Sequence, residues 1–218
     1  MGDLSPERIR HIVVGMIVFI LSIAVHEFGH AFVADKLGDR LPRAQGRVTL
    51  NPMAHADPIG TLLLPFLSLA ITQGYGFAWG KPVMHTTHDR KKRLLISFAG
   101  PAMNVILAAL VTVVTVALIR YEVVTSAAAI IALHEVVILN FILFFFNLLP
   151  AFPLDGGSVV RGLIPESWLD AWDEYSVYAP FVLFAFLLIP RLSIIIWRPA
   201  LAAHDWIFGV VGRLFGMG

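Results

Sequence analysis

The sequence has no cysteine, so disulfides and thiolate metal ligands are excluded and the redox compartment cannot be inferred from it. Charge is also scarce, because 14% of the 218 residues are charged, whereas a soluble domain typically has about 25%. Hydrophobic residues instead make up 58% of the chain, and the mean hydropathy is +0.79. The net charge of +1 gives no reason to expect a nucleic-acid partner. The composition therefore predicts a protein embedded in the lipid bilayer.

Four apolar segments are long enough to cross a hydrocarbon core of about 30 Å, which takes about 20 helical residues. They cover residues 11–37, 94–119, 127–149 and 177–197, and the last is interrupted by Pro190 and Arg191. The N-terminus shows no cleavage-site pattern, so the first segment is expected to stay in the protein. Residues 200–216 are only moderately apolar, and this stretch is typical of an amphipathic helix at the membrane interface.

The loop between the first two spans contains a further apolar segment, residues 59–72, which is too short for a standard span and contains Pro65. Basic residues lie on both sides of it, nine of the sixteen in the chain: Lys36, Arg40, Arg43, Arg47, Lys81, Arg90, Lys91, Lys92 and Arg93. If the segment crossed the membrane, these basic groups would lie on opposite faces, against the positive-inside tendency. We therefore predict a re-entrant segment in a loop on the cytoplasmic side.

The first span carries His26, Glu27 and His30. Histidines four residues apart share one face of a helix, so the two imidazoles can bind one tetrahedral zinc ion, and the glutamate can act on water. A chance occurrence is the alternative. However, an ionisable side chain in mid-membrane costs about 2.5–3.5 kcal/mol on insertion scales, so such residues are functional by default.

A catalytic zinc site usually has three protein ligands and an open position for water. Asp155 is the best candidate for the third ligand, because two prolines and a glycine pair at the end of the third span let the chain turn back. The alternative is an ordinary Asp-Gly turn. His134 and Glu135 lie at the opposite end of this span, where we expect a polar pair at the outer interface. The remaining candidates are loop histidines, which are usually exposed to water: His55, His85 and His88.

Three motifs occur in order along the chain, "HEFGH", "FAGPAMN" and "FNLLPAFPLDGG". Together they resemble the site-2 protease family of intramembrane zinc metalloproteases. The loop stretches "GRVTLNPMAHADPIGTLLLP" and "FAWGKPV" are similar to a compact prokaryotic branch that lacks PDZ and CBS domains. The stretch "MHTTHDRKKR" that follows departs from this branch, which weakens any transfer of loop geometry there.

The resemblance implies an all-α polytopic membrane protein with about four to six transmembrane or re-entrant helices. It also implies a small re-entrant β-element in the loop between the first two spans, in Arg47 to Leu50 or Phe77 to Val83, whose edge pairs with an unwound substrate. For the second stretch, an aromatic anchor with Tyr75 and Trp79 is the alternative. We expect a single membrane-embedded domain, 1–218. Its core spans about 10–165 and its C-terminal helices about 174–216.

By the same resemblance, the chain is a zinc metalloendopeptidase that cleaves within transmembrane segments of other membrane proteins. Its partner is then a substrate helix, and the basic residues of the loop between the first two spans place its active site toward the cytoplasmic side of the cell membrane. His26, His30 and Asp155 match the zinc ligands of the family, and Glu27 its catalytic glutamate. Asparagines that bond near the metal or to the substrate backbone are matched by Asn104 and Asn147. Packing between helices is an equal alternative for Asn104 and the preferred one for Asn140.

Two other functions fit part of the pattern, a membrane metal-ion transporter and a membrane metallohydrolase that is not a peptidase. A transporter is disfavoured because the sequence shows one clustered site, with neither a ladder of acidic residues along several spans nor an inverted repeat.

Overall fold

The computed structural model describes residues 5–72 and 79–217. These residues form helices and connecting loops, with no strand among them, so the all-α class is confirmed. The α-helices are α1 (Pro6–Lys36), α2 (Leu41–Ala44), α3 (Pro52–His55), α4 (Leu64–Thr72), α5 (Arg90–Arg120), α6 (Ala127–Asn147), α7 (Asp155–Leu163), α8 (Leu169–Leu188) and α9 (Ile194–Leu214). A π-helical turn (Pro58–Leu63) precedes α4, and 3-10 turns (Glu166–Trp168 and Pro190–Ser193) flank α8.

Four helical segments in the described part of the chain are long and apolar enough to cross a membrane: Pro6–Lys36, Arg90–Arg120, Ala127–Asn147 and Arg191–Leu214. Three agree with the predicted spans, and the chain is a multi-pass membrane protein. The fourth predicted span, 177–197, is broken at Pro190 as expected, and it differs from the fourth candidate, which begins at Arg191. The helix ends at Leu188 because Pro190 disfavours helical backbone in the residue before it and has no N–H of its own. Residues 200–214 of the stretch expected at the membrane interface instead belong to α9, which forms most of the fourth candidate span.

The predicted β-element is also wrong where the structure describes it. Arg47 to Leu50 forms bends, and residues 79–83 run without a strand, while Phe77, Ala78 and Tyr75 lie outside the described residues. The backbone N–H groups of Trp79 and Lys81 donate to the carbonyls of Gly60 and His55, at 3.1 and 2.9 Å, which belong to helical segments. Pro82 has no N–H to offer a ladder. The segment is therefore extended but bonded to helices.

The chain divides into two compact units, and in the first (Met1–Thr86) the organising element is the 31-residue helix α1. Ser5 caps its start, accepting a hydrogen bond from the N–H of Arg8 at 3.3 Å, and proline follows at the first helical position. One face of α1 buries Phe19, Ile23 and other apolar residues against the short helices α2, α3 and α4. This packing buries one face of the middle of α1.

The second unit (Thr87–Gly218) is built on α5, α6 and α9. Asp89 caps α5 by accepting from the N–H of Lys92 at 3.0 Å. Ala108, Val137, Phe141 and Ala200 form a buried cluster where the three helices meet. The short helix α7 packs on α5. The single domain expected over the whole chain stays a prediction.

Candidate metal centre

The two histidines of the first motif are both buried on α1. Their Nε2 atoms lie 3.1 Å apart, and their rings meet edge to face with centroids 4.8 Å apart. Zinc bonds of 2.0–2.1 Å in tetrahedral geometry place two ligand nitrogens about 3.3 Å apart. One turn of helix therefore brings the two nitrogens to the separation that a single ion requires.

Asp155 is the first residue of α7, and the two glycines that follow it are buried. A Cβ atom on Gly156 would lie 2.2 Å from the carbonyl oxygen of Leu149, so no larger residue fits where the chain leaves α6. The expected sharp turn after the third span is therefore present. It places a half-buried carboxylate at the start of a helix.

The donor set that could hold a metal ion consists of His26, His30 and Asp155. Two imidazole nitrogens and a carboxylate oxygen are the donor types of catalytic zinc sites, which leave a fourth position for water or substrate. The chemistry of these donors and the spacing of the imidazole pair both fit zinc.

Glu27 follows the first histidine on α1 and is 7% exposed. The backbone of Gly80 passes directly over its carboxylate. A Cβ atom built on this glycine would lie 2.9 Å from Oε1 of Glu27 and 2.6 Å from Cγ2 of Ile23. Sequence reasoning did not single out Gly80, although it lies in the "FAWGKPV" stretch, because a glycine in a loop usually marks a turn.

A buried arginine beside this carboxylate was also missed. Arg47 is 4% exposed, and its guanidinium donates hydrogen bonds to the carbonyls of Ala54 and Lys81. Burial lowers the pKa of Arg47, whereas the negative charge of Glu27 opposes that shift. A lone arginine in a basic loop is normally solvated, so no sequence signal distinguishes it from its neighbours.

His55 was predicted to be exposed to water, and this is wrong, because it is 1% exposed. Its Nε2 atom lies 2.8 Å from the carbonyl oxygen of Thr49, which makes this nitrogen the donor. Burial lowers the pKa of His55, the bond to the Thr49 carbonyl opposes the shift, and the charge of Arg47 adds to it.

The three asparagines make bonds between or within helices. Nδ2 of Asn104 on α5 donates to Oδ1 of Asn140 on α6 at 2.8 Å, and both side chains are fully buried. Asn147 donates to the carbonyl of Leu143 at 2.9 Å, one turn earlier on its own helix. The structure therefore contains the hydrogen bond between helices that was the preferred interpretation of Asn140. Roles of Asn104 and Asn147 near the metal or the substrate remain predictions.

His134 is part of a polar chain between α6 and α9. Its Nδ1 atom lies 2.8 Å from Nε2 of His204, and Nδ1 of His204 lies 2.8 Å from a carboxylate oxygen of Asp205. The Asp205 carboxylate can only accept, so Nδ1 of His204 carries a proton when Asp205 is ionised. No sequence pattern indicates a contact between these two histidines, which are 70 positions apart.

Comparison with known proteins identifies a family and several relatives to which the chain is similar. The family model described as "Peptidase family M50" matches residues 14–134 and 123–189. The chain is 34% identical over 208 residues to YwhC of Bacillus subtilis, provisionally named a zinc metalloprotease, covering 92% of this chain and 91% of that protein. It is 33% identical over 201 residues to Rip2 of Mycolicibacterium smegmatis, named in the same provisional way, covering 90% and 71%. No solved structure matches the chain at a significant level.

Proposed function

Because the chain belongs to peptidase family M50 and is a multi-pass membrane zinc metalloprotease, we propose that it hydrolyses peptide bonds within the transmembrane segments of other membrane proteins. The observation that carries this proposal is the position of His26, Glu27 and His30. All three are buried in the second half of a 31-residue apolar helix. A protease whose reacting groups lie inside a spanning helix is suited to substrates that lie in the bilayer.

His26, His30 and Asp155 would hold the zinc ion in this proposal. When bound, zinc supplies a Lewis acid that lowers the pKa of water and polarises the carbonyl of the scissile bond. The two imidazoles must present neutral Nε2 atoms to bind it. Each then keeps its proton on Nδ1, where it can donate to a neighbouring acceptor and fix the ring orientation.

Glu27 is the general base and acid of the proposed reaction. Its carboxylate accepts the proton of the attacking water and then donates it to the nitrogen of the leaving amine. The backbone of Gly80 restricts where this carboxylate can lie, since it leaves no room for a side chain between the two. Burial of Glu27 also excludes bulk water from the proton transfer.

We further propose that the active site opens toward the cytoplasmic side. The concentration of basic residues in the loop between α1 and α5 supports this orientation, because positively charged loops are retained on that side. The proposed partner is the unwound transmembrane helix of a substrate, whose carbonyls become accessible when its internal hydrogen bonds open. Asn104 and Asn147 are proposed to bond near the metal or to that backbone once substrate is bound.

The test is cleavage of a reporter transmembrane helix by the purified protein in detergent and in liposomes. We expect Glu27→Gln to abolish cleavage while zinc remains bound, because Gln keeps the shape of the side chain but cannot carry the proton. Glu135→Gln is the matched control, since it makes the same change on another candidate span. It should retain cleavage.

Cleavage by Glu27→Gln would refute the role assigned to this residue. Zinc flux into the same liposomes separates a transporter from a protease, since the proposal predicts no flux. Cleavage restricted to soluble peptides, with the helical reporter left intact, would support a membrane metalloprotease but contradict cleavage within the bilayer.

A further inference from the structure

Asn104 and Asn140 form a buried polar pair between α5 and α6, near the middle of two candidate spans. Both side chains are 0% exposed, and Nδ2 of Asn104 donates to Oδ1 of Asn140 at 2.8 Å. A carboxamide buried in this way has no bulk water to bond with, so the neighbouring polar atoms decide which way it faces. The orientation of the pair can therefore be followed from one atom to the next.

The orientation starts at a backbone carbonyl of α6. Nδ2 of Asn140 donates to the carbonyl oxygen of Val136 at 2.8 Å, one turn earlier on the same helix. A carbonyl oxygen can only accept, so the atom of Asn140 that faces it must be the nitrogen. Oδ1 of Asn140 is then the atom on the side of α5.

This oxygen in turn orients Asn104. Because Oδ1 of Asn140 can only accept, the atom of Asn104 opposite it must be Nδ2, and Oδ1 of Asn104 is the acceptor end of that side chain. Without Asn140, the carboxamide of Asn104 could turn over and exchange its donor and its acceptor, since the two groups have nearly the same shape. Asn140 thus determines the polarity with which Asn104 meets any further partner.

Apolar residues already pack the two helices together next to this pair. Ala108 lies one turn after Asn104 on α5, and it belongs to the buried cluster of this unit. Val137 and Phe141 belong to the same cluster and lie within one turn of Asn140 on α6. A side chain that served packing alone would need one bond across the interface, whereas Asn140 uses both ends of its carboxamide.

We propose that Asn140 is a positioning residue, which holds the carboxamide of Asn104 with Oδ1 as the acceptor for a backbone N–H of the substrate. This inference rests on the proposed function, in which Asn104 bonds to the backbone of an unwound substrate helix. Such a helix presents N–H groups as well as carbonyls once its internal hydrogen bonds open. Asn140 itself does not touch the substrate.

The experiment measures binding of a reporter transmembrane helix to Glu27→Gln protein, in which hydrolysis does not disturb the equilibrium, and cleavage of the same reporter by protein with Glu27 intact. We expect Asn140→Leu to weaken binding about three- to tenfold, because one hydrogen bond to the substrate is affected. KM should rise by the same factor, with kcat changed by less than about twofold.

Thr112→Val is the matched control. It also removes a fully buried polar group of α5, but the bond of this hydroxyl to the carbonyl of Ala108 stays within the helix. It should change neither binding nor cleavage. Circular dichroism and zinc content establish that each variant is folded.

Two further variants separate positioning from a structural role. Asn140→Asp keeps an acceptor at Oδ1 whether or not it is ionised, so its affinity should lie within about twofold of the parent protein. In protein that already carries Asn104→Leu, the change Asn140→Leu should have no further effect on binding, since it acts only through Asn104.

Reporters in which one peptide bond is replaced by an ester each lack a single N–H. In a series of such esters around the cleavage site, at least one should bind less tightly to the parent protein and equally well to Asn104→Leu. A series without this difference would overturn the proposal, because it would leave Asn104 without a donor in the substrate.

Unchanged affinity in Asn140→Leu would also overturn it, as would additive losses in the double variant or an Asn140→Asp protein that binds as weakly as Asn140→Leu. Failure of the wild-type protein to cleave the reporter would contradict the proposed function instead. The predicted differences in binding would support the positioning role even then, because they are measured without hydrolysis.

Discussion

The backbone of Gly80 lies so close to Glu27 that a single added carbon would come within 2.9 Å of the carboxylate oxygen Oε1. The glycine thus forms one wall around the group proposed to transfer the proton. A methyl group there must displace either the carboxylate or the loop that carries residue 80. Glycine is present at position 80 because there is no space for a side chain there, not because of its conformational freedom.

We therefore expect Gly80→Ala to lower kcat by about tenfold or more, because small misplacements of reacting groups are costly. The zinc content should be unchanged, because the substitution affects the space around Glu27, and the two histidines occupy other positions on α1. Turnover of the reporter helix and metal analysis of the same sample measure both quantities. Wild-type kcat in Gly80→Ala would show that the loop yields at no cost.

Arg47→Gln should destabilise the protein by about 2–4 kcal/mol, because two backbone carbonyls lose a charged donor in a buried position. The melting temperature in detergent, followed by circular dichroism, provides the measurement. Arg43→Gln is the control: the Arg43 side chain is 59% exposed in its pair with Asp35, so we expect a clearly smaller change. Similar effects of the two substitutions would contradict a structural role for the buried guanidinium.

The buried His55 predicts a loss of stability in mild acid. Its pKa is lowered below 6.5 in the folded state, mainly by burial, so the unfolded chain takes up a proton first as the pH falls. Stability from this group is complete above about pH 6.5 and declines as the pH falls from there toward the folded pKa. Thermal unfolding between pH 5 and pH 8 should show a weaker pH dependence in His55→Gln. Parallel curves for the two proteins would rule out this contribution.

The contact between His134 and His204 is expected to couple α6 to α9. In membrane proteins a hydrogen bond between helices contributes about 0.6 kcal/mol on average, and up to about 1.7 kcal/mol. A double-mutant cycle with His134→Ala and His204→Ala should give a coupling energy of about 0.5–1.5 kcal/mol in unfolding experiments. Strictly additive effects would mean that the 2.8 Å contact contributes nothing.

The sequence predicted the features that rest on local spacing or on long apolar runs. His26 and His30 share a face because four residues make about one turn, and the first three spans follow from hydropathy. Asp155 followed from the need for a third ligand and from a glycine pair that allows a turn. The resemblance supplied the roles of the residues, not their positions in space.

The predictions that were wrong concern features that neither local spacing nor hydropathy determines. Residues 200–216 are only moderately apolar, which favours the interface, whereas most of them continue α9, which begins at Ile194 and is part of a candidate span. Arg47 and His55 are polar loop residues by sequence, yet both are buried and bonded to backbone carbonyls. The acceptors include the carbonyl of Lys81, which is 34 residues from Arg47. Such burial depends on tertiary contacts, which a single sequence does not reveal.

Because α1 is one continuous helix, the number of residues before the motif sets the direction in which His26, Glu27 and His30 face. A residue inserted anywhere between Pro6 and Val25 would turn the three motif side chains by about 100° relative to everything upstream, without altering their mutual spacing. The helix itself would remain intact after such a change, but the motif side chains would face lipid. Length variation among functional relatives should accordingly spare this stretch and accumulate in the connections between helices.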